Sequence, residues 1–209
     1  MKMQNLVLLI LVMALWAVSV GIARESQLSR RDSLKAEQYA IYDSIIEKLF
    51  IKDATEVIII DDLTFPGIGV PSSLQKQQLR DVLGKDLYNT LMTAFRYANK
   101  EEERLTDEFR LAIPHELQHV KVVCAFSSGL NPQASWDEFF QKYPKSTGAI
   151  SLSRIGFGPD GQRALVYVHN ACGFLCSNEY LIVLKKTTNW QIGELFIVKE
   201  DHPWRIDKK

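Results

Sequence analysis

The segment His115-Glu116-Leu117-Gln118-His119 has the HExxH pattern, which is characteristic of zinc hydrolases. On a helix, His115 and His119 would lie one turn apart on one face and could hold one Zn²⁺. Glu116 would then act as general base on a zinc-bound water. The pattern therefore predicts a zinc-dependent, peptidase-like hydrolase with two metal-ligating histidines and one catalytic glutamate.

The sequence around this segment favours a different interpretation. A helix cannot extend through Pro114 without a kink, and the β-branched residues at 120–123 favour a strand directly afterwards. A third zinc ligand is also required. Glu138 is already explained by a capping box with Ser135, and His169 falls in a predicted strand. The alternative is a surface turn, with no metal and no cofactor favoured.

Three cysteines form the second group of reactive side chains. Cys172 and Cys176 flank a short loop, and in an oxidising compartment this spacing predicts a disulfide. Two free thiols, a redox pair, or a partial metal site with His169 are the alternatives. Cys124 is predicted to be a buried, inert thiol on the apolar face of a strand.

Smaller features carry weaker predictions. Asp61-Asp62 follows a β-branched run and can either bind a cation or form a turn. Trp136 and Trp190 are predicted to anchor the core, with a role in lining a ligand pocket as the alternative. The sequence contains no nucleophile elbow, no P-loop and no dinucleotide-binding glycine fingerprint.

Composition and the N-terminus indicate the compartment. The 209 residues include 25 Lys+Arg and 25 Asp+Glu, and this zero net charge opposes a role in nucleic-acid binding. Residues 1–23 combine Lys2, an apolar run and a small-residue exit, which predicts a signal peptide. The alternative is an uncleaved N-terminal anchor, the only predicted membrane contact. The protein is therefore expected to be exported, either periplasmic or secreted, or tethered by this segment.

Periodicity predicts the elements that position these groups. Helical spacing predicts helices at 33–50, 86–99 and 135–143, and a short helix that ends at Gly84. Strands are predicted at 57–60, 120–126, 150–157, 163–169, 180–186 and 190–198. After a flexible start at 24–32, residues 33–209 are predicted to form a single α+β domain. It has N-terminal helices and a mainly antiparallel C-terminal β-meander.

Four segments occur in an order that resembles a known family. They are W-D-E-F-F-Q-K-Y-P at 136–144, L-S-R-I-G-F at 152–157, A-L-V-Y-V at 164–168 and C-G-F-L-C at 172–176. They resemble a family of uncharacterised exported bacterial proteins with the pattern W-x-x-F-x-x-x-Y-P, L-S-R-V-G-F, A-L-V-Y-V and C-G-x-x-C-G. Ser177 departs from this pattern, which has glycine there.

The resemblance implies export but brings no assigned activity. It also implies that the stretch containing His115 and His119 is a connection before a strand, outside the family pattern. By elimination, the sequence favours a non-catalytic binding or interaction module of the cell envelope, with an unidentified protein or small-molecule ligand. The zinc-dependent hydrolase remains the alternative.

Overall fold

The computed structural model describes residues 32–65, 73–119 and 132–201 of the chain. The chain divides into two compact units, Met1–Tyr39 and Ala40–Lys209, and every described strand belongs to the second unit. The predicted leader at 1–23, the predicted strand at 120–126 and Cys124 lie outside the described residues. None of the described helices is long and apolar enough to cross a membrane.

The described residues contain four helices. They are α1 at 32–49, α2 at Ser73–Leu83, α3 at Lys85–Ala98 and α4 at Pro132–Lys142. The helices predicted at 33–50 and 86–99 are confirmed. The predicted stop at Gly84 is also confirmed, because this residue separates α2 from α3 with a φ of 75°. Glycine adopts such a positive φ without the steric cost that other residues meet.

Helix α4 begins earlier than the sequence predicts. Its first residue is Pro132, so Ser135 lies inside the helix and is not its N-cap. The predicted capping box of Ser135 and Glu138 is therefore wrong. Proline suits the first helical position because no intrahelical partner is needed there for its missing N–H. The predicted end is confirmed, since α4 stops at Lys142, shortly before Pro144.

Seven described strands form one mixed sheet. They are β1 (Val57–Asp61), β2 (His115–Gln118), β3 (Ser146–Leu152), β4 (Gly156–Phe157), β5 (Arg163–Gly173), β6 (Cys176–Lys186) and β7 (Trp190–Asp201). The order is β2-β1-β3-β5-β6-β7, and β4 pairs with β5. Strand β1 is parallel to β2 and to β3, whereas all other pairs are antiparallel.

The predicted α+β class and the C-terminal meander are confirmed, with two differences. The strand predicted at 150–157 is divided into β3 and β4, and β3 runs parallel to β1. Strand β2 was not predicted at all. Its partner is the isoleucine-rich β1, which supplies the backbone hydrogen bonds that a short, polar strand needs.

The sheet has two buried faces. Residues paired in register share a face, so Ile58, Ile60, Ile150, Val166 and Ile182 lie together on what we call the α1 face. The part of α1 after residue 39 lies there: the Tyr42 hydroxyl donates to the Ser153 carbonyl, and the ring of Phe50, directly after α1, lies 6.1 Å from the ring of Tyr180. The opposite face, which we call the α3–α4 face, carries two hydrophobic clusters formed with helices α2, α3 and α4.

Candidate functional site

The HExxH segment lies on an edge strand, where alternation separates its side chains. His115 is in register with Ile58 on the α1 face, and Glu116 is in register with Ile59 on the α3–α4 face. The HExxH zinc site requires both histidines on one face of a helix, whereas His115–Gln118 is a strand. Both the predicted helix and the predicted surface turn are therefore wrong.

His115, Glu116 and His119 contact different side chains outside the segment, and Glu116 also accepts a hydrogen bond from Gln118. His115 Nε2 lies 2.7 Å from Oδ1 of Asp107 and its ring meets Phe109 edge-on, whereas Glu116 Oε2 accepts a hydrogen bond of 2.9 Å from the Tyr143 hydroxyl. His119 Nδ1 lies 2.9 Å from Oδ1 of Asp62. These contacts distribute the segment's ionisable groups over three separate places.

The Asp61-Asp62 pair is also divided. Asp62 contacts His119 and forms an ion pair of 3.0 Å with Arg104. Asp61 instead accepts a hydrogen bond of 3.2 Å from the Leu63 amide. Over the described ranges, no group of three or more His, Cys, Asp or Glu side chains is placed to hold a metal ion.

The predicted pairing of Cys172 and Cys176 is confirmed by the distance between the two residues. The sulfur atoms of Cys172 and Cys176 lie at disulfide distance, and their Cα atoms are 5.0 Å apart. The structure corrects the predicted loop to a tight β5–β6 hairpin in which Gly173 pairs with Cys176. The predicted burial of Trp136 and Trp190 is also confirmed, with exposed fractions of 2% and 7%.

A row of five polar side chains crosses the α3–α4 face, and we call it the polar row. Its members are Gln118 of β2, Asp61 of β1, Ser151 of β3, His169 of β5 and Glu179 of β6. Gln118 is in register with Asp61, and Ser151 with His169. His169 is in turn in register with Glu179, and Glu179 is in register with Lys199 of β7, beyond the end of the row. The Ser151 hydroxyl donates a hydrogen bond of 3.3 Å to Oδ2 of Asp61, and this bond joins the row members of β1 and β3.

The polar row separates the two hydrophobic clusters of this face. The cluster under α4 includes Ile59, Ala149 and Ala171, each two residues from a member of the row along its strand. The cluster under α2 and α3 includes Tyr167 and Leu181, two residues away in the opposite direction. Ser151 is buried, whereas the other four members are partly exposed. The row therefore combines polar groups, partial solvent access and apolar walls.

Tyr167 links the row to an aromatic surface. Its ring stacks on Phe65 with centroids 6.1 Å apart. Burial raises the pKa of the Tyr167 phenol, and the hydrogen bond to Glu179 and the charge of that carboxylate raise it further. The phenol therefore stays protonated at neutral pH. Phe65 is 41% exposed and extends this wall towards solvent.

A β-bulge at Gly148 aligns the row. Between Val57 and Ile59 of β1 there is one residue, but between their partners Ser146 and Ala149 there are two. A shift of one residue exchanges the faces of a strand, so this extra residue puts Ser151 on the same face as Asp61. Gly148 has a φ of 103°, and a Cβ there would lie 2.1 Å from the Ala171 carbonyl oxygen.

Sequence reasoning named some members of the row but did not bring them together. Asp61 was considered for a cation and His169 for zinc, whereas Ser151, Gln118 and Glu179 were missed. The available signal was a single polar residue inside an apolar strand, as at Ser151 between Ile150 and Leu152. That signal identifies the face only when the order and register of the strands are known.

A second surface feature is an apolar groove beside α3, which we call the α3 groove. It has a volume of about 550 Å³, and its walls include Thr90, Thr93, Tyr97, Phe157 and Pro159. It presents few polar groups, so it offers less chemical specificity than the polar row.

Comparison of the chain with protein families, with curated proteins and with solved structures finds no match.

Proposed function

We propose that the chain is an exported, non-catalytic binding module of the cell envelope and that the polar row is its ligand site. The observation that carries this proposal is a line of five polar side chains between two hydrophobic clusters of one sheet face. Four of the five side chains are partly exposed to solvent, so a ligand can reach them. A ligand that replaces water at these polar groups can form hydrogen bonds with them, while its apolar part contacts the neighbouring clusters.

Two further features support the compartment and the type of ligand. The apolar segment at 1–23 has the composition of a signal peptide, and an oxidising compartment would allow Cys172 and Cys176 to form a disulfide. The resemblance to an exported bacterial family favours the same location. The balanced charge of 25 basic and 25 acidic residues favours a small molecule or a protein as ligand, and not a nucleic acid.

The site is tested by following backbone amide signals of the purified chain by NMR while polar probes are added. The probes are glucose, benzyl alcohol, benzylamine and benzoate. We expect saturable shifts at Asp61, Ser151, His169 and Glu179 with at least one probe. Shifts confined to the α3 groove, or no saturable shift with any probe, would overturn the proposed site.

A matched pair of variants separates the site from the rest of the surface. Ser151→Ala removes the central hydroxyl of the row, so binding should weaken about tenfold, the effect of one hydrogen bond to a charged or buried partner. Thr93→Ala removes an exposed hydroxyl of α3 that donates to the Asn89 carbonyl, and should leave binding unchanged. Equal effects of both variants would argue against the row.

Export is tested separately on the chain expressed in a bacterial host. Mass spectrometry should show an N-terminus after residue 23, and thiol counting under denaturing conditions should find one free thiol before reduction and three afterwards. A chain that stays in the cytoplasm with three free thiols would contradict the proposed location. The ligand site would still be tested by the binding experiment.

A further inference from the structure

The β5–β6 hairpin ends in two large apolar residues, Phe174 and Leu175. Their exposed fractions are 47% and 52%. Among the exposed large hydrophobic residues of the described ranges, they are the only two that are adjacent in sequence. A single exposed apolar residue is ordinary, but this pair forms a continuous apolar surface at the end of a hairpin, which we call the apolar tip.

The two residues of the apolar tip do not suit the turn that they form. Gly173 is in register with Cys176, so Phe174 and Leu175 are the central residues of the hairpin connection. Connections of two residues favour glycine, asparagine and aspartate, which adopt a positive φ readily. In the described part of the chain, no residue other than glycine has a positive φ. The tip therefore breaks the usual rule for turn composition, and such exceptions are expected at functional positions.

The cysteines on either side hold the hairpin end in place of favourable turn residues. The sulfur atoms of Cys172 and Cys176 lie at disulfide distance, directly before Gly173 and directly after Leu175. A crosslink across so short a loop restricts the conformations of the residues between the cysteines. The apolar tip is therefore presented in a fixed shape, and it loses little conformational entropy when it meets a partner.

The small area of the apolar tip limits what it can bind. A phenylalanine and a leucine at about half exposure offer roughly 200 Å² together, whereas a stable protein interface buries about 800 Å² on each partner. A lipid bilayer has no such size requirement, because each apolar side chain that leaves water contributes separately. The area therefore fits a bilayer surface better than a protein or a second copy of the chain.

The hairpin end behind the tip carries no charge. From Asn170 to Asn178 the sequence contains no Asp, Glu, Lys or Arg. A strand rises about 3.3 Å per residue, so the uncharged part extends about 10 Å from Leu175 to Asn178. Segments that lie in the lipid–water interface enter it by about 5–10 Å. The uncharged length is therefore sufficient for the tip to enter without burying a charged side chain of the hairpin.

The strands beside the hairpin carry charges of both signs. The two β7 residues level with the uncharged end are acidic, Asp201 and Glu200, and residues 199–209 contain four basic and three acidic residues. Towards β3, Lys145 precedes the strand and forms an ion pair with Glu56. Neither flank has a large net charge of one sign. Attachment through this end therefore depends on the apolar side chains and not on the charge of the lipid.

We propose that the apolar tip is a membrane contact, in which Phe174 and Leu175 enter the lipid–water interface of a bilayer while the charged flanks stay among the headgroups. The contact is weak on its own, since even a complete acyl chain gives only marginal membrane binding. It adds a lipid surface as a partner of the proposed envelope protein and does not depend on the polar row.

Spin-labelled lipid tests the contact on the purified chain. Nanodiscs of phosphatidylcholine with a nitroxide-labelled lipid broaden the NMR signals of amides that reach the bilayer. We expect broadening at 173–176 that decreases along β5 and β6, with little change when phosphatidylglycerol or sodium chloride is added. The signal is read at each residue, so it locates the tip whether or not residues 1–23 are present. Broadening only at other surfaces, or none, would overturn the proposal.

A pair of variants separates the apolar side chains from the shape of the hairpin. Phe174→Asn combined with Leu175→Gly supplies the residues that a two-residue connection favours, so the fold should be kept while the apolar surface is lost. Broadening at Cys172 and Cys176 should then fall at least about tenfold. The matched control is Val82→Ser, which removes an apolar side chain of α2 with 49% exposure and should leave the broadening unchanged.

The remaining outcomes assign the surface to something else. Equal effects of the double variant and Val82→Ser would overturn the apolar tip as the contact. Tip signals that shift with chain concentration in the absence of lipid would assign the tip to a second copy of the chain. Broadening that requires phosphatidylglycerol would overturn the apolar side chains as the cause of attachment. If the double variant does not fold, the pattern of broadening in the unmodified chain decides.

Discussion

In β2 the ionisable side chains are consecutive in sequence, whereas the polar row takes its five side chains from five strands. The β2 segment sends His115 to the α1 face and Glu116 to the α3–α4 face, where each meets a different partner. Asp61 and Glu179, although 118 positions apart, lie in one line on one face. The comparison teaches that a sequence motif predicts chemistry only together with the element that carries it.

The largest expected effect comes from Gly148, because it holds the polar row in alignment. We expect Gly148→Ala to lower the free energy of unfolding by about 3 kcal/mol, since the new Cβ meets a backbone carbonyl and the φ of 103° is strained. The substitution should not disturb β2 directly, because β2 pairs with β1 and not with the bulged part of β3. Urea unfolding measures the loss.

The control for this change is Gly161→Ala. Gly161 also has a positive φ, at 64°, but a Cβ there has nothing within 4 Å. We expect a loss of about 1 kcal/mol from the backbone strain alone. Similar losses in the two variants would contradict the view that the bulge at Gly148 is held by close packing against β5.

A tyrosine interacts with a glutamate in each region, and the two tyrosine–glutamate pairs differ in burial. Tyr167→Phe removes a buried hydroxyl next to the partly buried Glu179, so we expect a loss of about 1–2 kcal/mol in unfolding free energy. Tyr143→Phe leaves Glu116 exposed to water, which replaces the bond, and the loss should be below about 0.5 kcal/mol. Chemical denaturation of both variants measures the two losses, and a larger loss in Tyr143→Phe would contradict this prediction.

Sequence patterns predicted much of the fold because the relevant signals are local. The helical spacing of Tyr42 and Ile46, the β-branched β1 and the short links of the meander each act within a few residues. The parallel pairs of β1 and the bulge at Gly148 depend on contacts between distant segments, and no local pattern encodes them. The polar row depends on both, so its members could be listed from sequence only as unrelated residues.

The raised pKa of Tyr167 makes the free energy of unfolding depend on pH in the alkaline range. The unfolded phenol loses its proton near the ordinary pKa of 10.0, whereas the folded phenol keeps it. The folded state therefore binds more protons above this pH, and stability should fall as the pH rises. The stability difference between the unmodified chain and Tyr167→Phe should decrease between about pH 8 and pH 11. A constant or increasing difference would contradict the burial of the Tyr167 phenol as the cause of its raised pKa.

The smallest effect is expected beside the β2 segment, at Asp43 of α1. Burial raises the pKa of this carboxyl above its ordinary value of 3.8, against the opposing hydrogen bond from the Arg110 amide and the charge of His115. The folded state therefore holds this proton more tightly than the unfolded state, and ionisation destabilises the fold. Between about pH 3 and pH 6, Asp43→Asn should gain stability relative to the unmodified chain as the pH rises, and the difference should then level off. Unfolding free energies at several pH values measure this difference. A variant that loses relative stability over the same range would show that the hydrogen bond from the Arg110 amide and the charge of His115 outweigh the burial of Asp43.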